Sequence, residues 1–280
     1  MATQRPQDLV FSLFGEYLLD RPGPIWVGDL IELLAPFGLS ENAVRTALSR
    51  MARKGWLETE RRGRRSFYDL SPRGRTLLEK GAERIHDPPR GERWDGGWTL
   101  VSYSIPEEDR EARDRLRDRL LWLGCGSLGG GLWISPHDVE APVVEAAEEL
   151  GVDGFLEVFR GDHLGVSDPG ALVAKCWDLE AIEVRYADFV GAHEPGYRAS
   201  LAAAGRGELS PETAFVRRFE LIHEYREFPL IDPFLPQALL PGRWSGHAAA
   251  SLFDRYHELL TEPADRYVDS VLGEPVPVPA

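Results

Sequence analysis

Residues 40–70, SENAVRTALSRMARKGWLETERRGRRSFYDL, carry two hydrophobic periods separated by a sharp stop, and few folds accommodate that order. At 3.6 residues per turn, Val44, Ala47, Leu48 and Met51 share one helical face, while Asn42, Arg45, Thr46, Ser49 and Arg53 share the opposite one. Ser40 stands where an N-cap hydroxyl accepts a backbone N–H, and Gly55 stands where a left-handed stop belongs. After the stop, Leu57, Thr59, Ser66, Tyr68 and Leu70 alternate with polar neighbours on either side of Arg61-Arg62-Gly63-Arg64-Arg65. That pattern predicts a two-stranded ribbon with guanidinium groups crowded at its tip. A helix that offers a polar face outward, followed by such a ribbon, has the order of a winged helix-turn-helix.

Charge sharpens this expectation. From Glu41 to Arg75 there are ten Lys/Arg against four Asp/Glu, a local net of +6, in a chain whose formal net charge is −14. Residues 1–95 hold 16 basic and 14 acidic side chains, leaving 16 basic and 32 acidic for the rest, so only the front end can attract a polyanion. The candidate DNA-binding residues are Ser40, Asn42, Arg45, Thr46, Ser49, Arg50, Arg53 and Lys54 on the helix, with Arg61, Arg62, Arg64 and Arg65 on the ribbon. Arg45, Arg50 and Arg53 suit guanine edges or phosphates, and the ribbon tip suits flanking phosphates or a minor groove. Two blander readings compete: a solvated arginine turn beside an ordinary amphipathic helix, and a winged helix used for protein contacts.

The flanking segments organise around this head. Helices are expected over Asp8–Leu19 and Val27–Ala35, each ended by a proline- and glycine-containing break, and another from Ser71-Pro72 through Ile85. HDPPRGERWDGG then marks a boundary near residue 90. Trp98–Ile105, Glu107–Leu123, Leu128–Ser135, Val139–Leu150 and Phe155–Phe159 alternate in period as β-α-β-β-α-β, a ferredoxin-like arrangement. Helices follow over Asp178 to about Ala203, from Ser210-Pro211, and over Gly246–Leu260, with GEPVPVPA as an extended tail. The expected architecture is multidomain α+β: a winged helix at 1–90, a ferredoxin-like domain at 97–162 and an all-α domain with its own core at 168–272. With 43% apolar residues, 280 positions suffice for two or three cores. No apolar run reaches about 18 residues and MATQRPQDLV lacks a signal pattern, so a soluble cytoplasmic protein is expected.

Enzyme signatures fail on context. Gly124, Gly126 and Gly129 spell GxGxxG, but after a helix and before a strand, the reverse of a dinucleotide site. His223-Glu224 begins like a zinc-protease helix, yet Glu227 stands where the second histidine belongs. Cys125 and Cys176 read as small buried hydrophobes. No cofactor, metal site or catalytic residue is expected. On the helix opened at Ser210, Phe215, Phe219 and Ile222 define an apolar face with Arg226 at its centre and Arg218, His223 and Tyr225 at its margins. A guanidinium there is either a structural ion pair, with Asp232 as a natural partner, or part of an anion-binding wall for an effector joining phosphates to an apolar acyl group.

The segments NAVRTALSRMARKGWLETERRGRRSFYDLSPRG, WTLVSYSIPEEDREARDRLRDRLLWLGCGSLGGGLWISPHD and LIHEYREFPLIDPFLPQALLPGRWSG together resemble the PaaX family of repressors of phenylacetic acid degradation. The resemblance implies a homodimeric winged-helix repressor with a ferredoxin-like middle and a helical C-terminal domain. It also implies release from operator DNA by an aryl-acyl-CoA such as phenylacetyl-CoA. The middle segment is similar to small CRISPR-associated ferredoxin-like nucleases, in which an aspartate closing the first strand helps hold a metal. Here Ser104 and Ile105 occupy that strand end, so the resemblance implies a scaffold without nuclease activity. The competing functional class is a metal-dependent nuclease or RNA-processing protein built on this domain. A repressor of the same build that answers another acyl-CoA is the third reading.

Overall fold

The computed structural model describes residues 5–86, 94–165 and 168–273. The break at residues 87–93, with the boundary near 90, and the tail from 274 lie outside the described residues. Contacts divide the chain into two compact units, one formed by residues 1–87, 189–226 and 248–280, the other by 88–188 and 227–247. Among the described residues no helix is long and apolar enough to cross a membrane.

In the first unit, helix α1 (Pro6–Leu13) runs into a π-helical turn over Phe14–Leu18. A two-residue strand β1 (Ile25–Trp26) leads directly into α2 (Val27–Leu34), and α3 spans Glu41–Arg53. Strands β2 (Leu57–Arg62) and β3 (Arg65–Leu70) form an antiparallel ribbon, and α4 (Pro72–His86) follows. The sheet order is β1-β3-β2, with Ile25 opposite Tyr68 and Trp26 opposite Phe67. Strand β1 had no counterpart in the periodicity, because two residues cannot establish an alternation.

Leu9, Leu13 and Phe14 pack with Leu30, Val44, Leu48 and Met51, all essentially inaccessible to solvent. The same unit contains α9 (Pro211–Tyr225) and most of α11 (Gly246–Leu272). Phe37 stacks on Phe219 at 4.1 Å and meets Phe215 edge-on at 5.8 Å, so the N-terminal helices share their aromatic core with α9. Helix α11 continues past the expected end at Leu260 and carries Pro263 within it. Leu260, Ala264 and Val268 are fully buried at intervals of four, and this apolar stripe outweighs the missing amide hydrogen bond.

The second unit contains the expected β-α-β-β-α-β succession: β4 (Gly97–Tyr103), α5 (Arg110–Trp122), β5 (Gly126–Gly129), β6 (Leu132–Ser135), α6 (Glu140–Leu150) and β7 (Leu156–Asp162). The sheet order is β5-β6-β4-β7 and every pairing is antiparallel. Val101 and Trp133 join Leu116 and Leu120 of α5 and Val143 and Ala147 of α6 in one buried cluster. Gly131 takes φ +82 where a Cβ would fall 2.4 Å from the Tyr103 carbonyl oxygen, so the glycine run is a backbone requirement of the β5–β6 turn.

Helix α7 (Pro169–Cys176), the start of α8 (Leu179–Gly205) and the short α10 (Phe228–Ile231) complete this unit. The motif LIDPFLP finds its reason here. Asp232 is buried, accepts the Tyr186 hydroxyl at 2.6 Å and the Phe234 amide at 2.7 Å, and holds Phe234 at φ +52. Phe228 stacks on the same Tyr186 ring at 4.0 Å.

Candidate nucleic-acid interface

Helix α3 starts and stops as its sequence dictates. The Ser40 hydroxyl accepts the Ala43 amide at 3.3 Å. At the other end Gly55 sits at φ +71, its amide donates to Ala52 and the Trp56 amide to Met51, the paired bonds of a Schellman motif. Val44, Ala47, Leu48 and Met51 are buried, whereas Asn42, Arg45, Thr46, Ser49, Arg50 and Arg53 are exposed.

The ribbon is equally determined. Arg62 pairs with Arg65 in register, so the loop is two residues long, with Gly63 at φ +61 and Arg64 outside the left-handed region. Glycine first in a two-residue loop is the type II′ pattern that matches strand twist. Like charges directly opposite destabilise a ribbon. Here each guanidinium is steadied separately: Arg62 donates to both oxygens of Glu60, at 2.6 and 2.9 Å, and lies over Phe67, while Arg65 lies over the Trp26 ring at 4.8 Å.

The twelve residues named from sequence therefore fall into five groups. Arg50, Arg53, Arg61 and Arg64 are exposed and make no ion pair among the described residues. Arg45 and Arg62 are clasped by Glu41 at 2.8 Å and Glu60 at 2.6 Å. Arg65 and Lys54 rest on the aromatic rings of Trp26 and Trp56. Ser40 is committed to its cap, and Asn42, Thr46 and Ser49 remain on the outer face. The carboxylate clasps were missed by sequence reasoning, although Glu41 and Arg45 lie at the i, i+4 spacing that signals one.

Of the four residues proposed for an effector, His223 and Arg226 lie together at the end of α9, while Arg218 and Tyr225 meet other partners. Arg218, and not Arg226, is the deeply buried arginine of α9. Its guanidinium meets Glu16 at 2.5 Å, Asp265 at 3.1 Å and His257 at 3.3 Å, and lies over the Tyr17 ring. The π-helical turn carries Glu16, so that local widening of α1 supplies the carboxylate. His223 bonds through Nδ1 to the Ser12 hydroxyl at 2.8 Å, and Tyr225 stacks on Phe253 at 4.0 Å. Arg226 caps α9 half-buried, with its Nε on the His223 carbonyl.

Burial pushes the His223 imidazole down to about 4, with the Arg226 charge acting in the same sense and Asp8 and Glu224 against it. The folded pKa is thus below the unfolded value, so the unfolded chain binds the extra proton between those values. The stabilisation is complete above the unfolded value of about 6.5 and is lost as pH falls toward 4. Asp29, pushed up to about 6 chiefly by burial, works in the opposite sense, losing stability as pH rises through its range. His223→Gln should therefore flatten the fall of the urea midpoint on acidification relative to wild type. Identical pH profiles for the two proteins would contradict the assignment.

The geometry defines a mixed helix-and-sheet protein with two antiparallel sheets and an arginine-rich helix-and-ribbon surface. Residues 5–74 match the family described as PaaX-like protein, 91–173 its central Cas2-like domain, and 177–270 its C-terminal domain. The chain belongs to the PaaX family, as the quoted motifs suggested. It is 36% identical over 266 residues to the transcriptional repressor PaaX of Escherichia coli strain K12, covering 93% of this chain and 82% of that protein. Among solved structures it is similar to an uncharacterized protein of Mycobacterium tuberculosis, with a TM-score of 0.58 and 26% identity over 96% of this chain and 98% of that one.

Proposed function

We propose that the protein is a DNA-binding transcriptional repressor of a phenylacetate-type catabolic operon and not an enzyme. The observation that carries this reading is a helix whose apolar side is buried while Arg50 and Arg53 on α3, and Arg61 and Arg64 on the ribbon, stay exposed without ion pairs among the described residues. Family membership and the repressor named among its relatives support the same conclusion. In this reading residues 1–90 are a winged helix-turn-helix, 97–162 a ferredoxin-like scaffold and 168–272 a helical effector and dimerisation region. A homodimer in the cytoplasm sets two α3 helices into successive major grooves of an inverted repeat, and the ribbon arginines grip the flanks.

Release follows from an aryl-acyl-CoA, phenylacetyl-CoA in the first instance, binding more tightly to a state whose heads no longer fit the operator. The Cas2-like match of the central region raises nuclease activity as the alternative. Ser104 and Ile105, not a carboxylate, follow β4, and the Ser104 amide is spent on the Phe155 carbonyl at 3.0 Å.

The test is a titration against DNA from the gene's own upstream region at fixed salt, with and without phenylacetyl-CoA and free CoA. Tight binding released by the acyl-CoA alone is expected, with effector and operator weakening each other by the same factor. DNA binding without any sequence preference, or metal-dependent cleavage of DNA or RNA by the pure protein, would overturn the reading.

A further inference from the structure

The second unit contains an open cavity of about 800 Å³, within the size range of small-molecule sites. Val173 from α7, Trp177, Leu179 and the segment Leu239-Leu240-Pro241 supply its apolar lining. Its polar lining is uneven in what it has left to give. Asp178 is occupied capping α8, with Oδ1 on the Ala181 amide at 3.1 Å, and Glu183 accepts both the amide and the hydroxyl of Ser245, at 2.5 and 2.7 Å. Lys175 is exposed and makes no ion pair among the described residues, and Arg243 is 89% exposed with only a 3.8 Å approach to Glu183. The Trp177 indole N–H is shielded from solvent and offers nothing to the open lining. The exposed carboxylates of Asp178 and Glu180 keep acceptor capacity beside the cations Lys175 and Arg243.

An apolar wall with a flat aromatic side chain and two exposed cations fits a molecule with a flat apolar end and an anionic end. We propose that this cavity receives the aryl-acyl group of the effector, with the carrier's phosphates at Lys175 and Arg243. The inference rests on the effector reading above and gives it a site distinct from the Arg218 cluster. The cations sit beside Asp178, Glu180 and Glu183, so the phosphates belong at the outer cations and their contribution is salt-sensitive.

Ala174 and Ala238 line the cavity and are exposed, so a tryptophan at either fills it without overpacking a core. Calorimetry on the full chain would compare phenylacetyl-CoA, phenylacetate and free CoA for wild type, Ala174→Trp, Ala238→Trp and the pair Lys175→Glu/Arg243→Glu. Phenylacetyl-CoA should bind wild type, and each tryptophan variant should weaken it at least about tenfold while leaving ligand-free operator binding unchanged. The charge-reversed pair should weaken it most at low salt. A wild type released from operator by phenylacetyl-CoA, with both tryptophan variants binding it as well as wild type does, would overturn the cavity and spare the effector reading. A ligand that binds wild type, is lost in both variants and yet never releases operator would support the cavity and sink the effector reading. No binding of phenylacetyl-CoA to wild type would overturn the cavity proposal.

Discussion

Arg218→Ala is expected to destabilise the chain by about 3–5 kcal/mol, because it removes the buried guanidinium that faces Glu16, a carboxylate largely shielded from water. The Glu16 side chain is 10% exposed and that of Arg218 is 6% exposed, whereas Asp265, at 49%, can rehydrate and adds little. The loss should therefore arise mainly from Glu16, and Glu16→Gln in the Arg218→Ala background should recover a large part of it. A double-mutant cycle followed by urea unfolding separates these effects. A loss under about 1 kcal/mol for Arg218→Ala, unaltered by Glu16→Gln, would show that the pair is already hydrated. Should the single variant fail to fold, Arg218→Met paired with Glu16→Gln gives the same coupling from a shape-compatible apolar replacement. The consequence reaches beyond stability, since Glu16 belongs to the helix that packs on α3 and Arg218 to α9. The head and the C-terminal helices of the first unit are thus tied by a buried charge.

That tie marks the limit of what the sequence discloses. The β-α-β-β-α-β order was legible because Val101, Leu116, Leu120, Trp133 and Val143 mark it with local periods, which need no knowledge of distant partners. The caps at Ser40 and Gly55 were legible for the same reason. Which arginine of α9 goes inside was not legible. The helical wheel placed Arg226 centrally, but α9 ends at Tyr225, so Arg226 is a C-cap rather than a member of the buried stripe. Arg218 can be buried only because Glu16, His257 and Asp265, far away in sequence, arrive together. The expectation of a C-terminal core independent of the head likewise relied on local pattern, whereas Phe37 and Phe219 meet across most of the chain.

The two kinds of arginine at the candidate interface should separate cleanly in binding. Arg45→Ala should cost about 1–3 kcal/mol on the preferred operator and much less on unrelated duplexes if its guanidinium reads a base. Its clasp with Glu41 is an exposed i, i+4 pair worth about 0.3–0.5 kcal/mol, so a bidentate base contact can outbid it. Glu41→Ala, which frees Arg45, should then change operator affinity far less than Arg45→Ala does. Arg64→Ala should act differently, because Arg64 stands exposed beside Gly63 in the two-residue loop with no ion pair to give up among the described residues. Its loss should weaken all duplexes by a similar factor and reduce the slope of log affinity against log salt by about 1. Equilibrium titrations of wild type and the three variants at several salt concentrations, on operator and scrambled DNA, measure both quantities. A uniform loss for Arg45→Ala together with a sequence-selective loss for Arg64→Ala would reverse the roles and make the ribbon tip the reader.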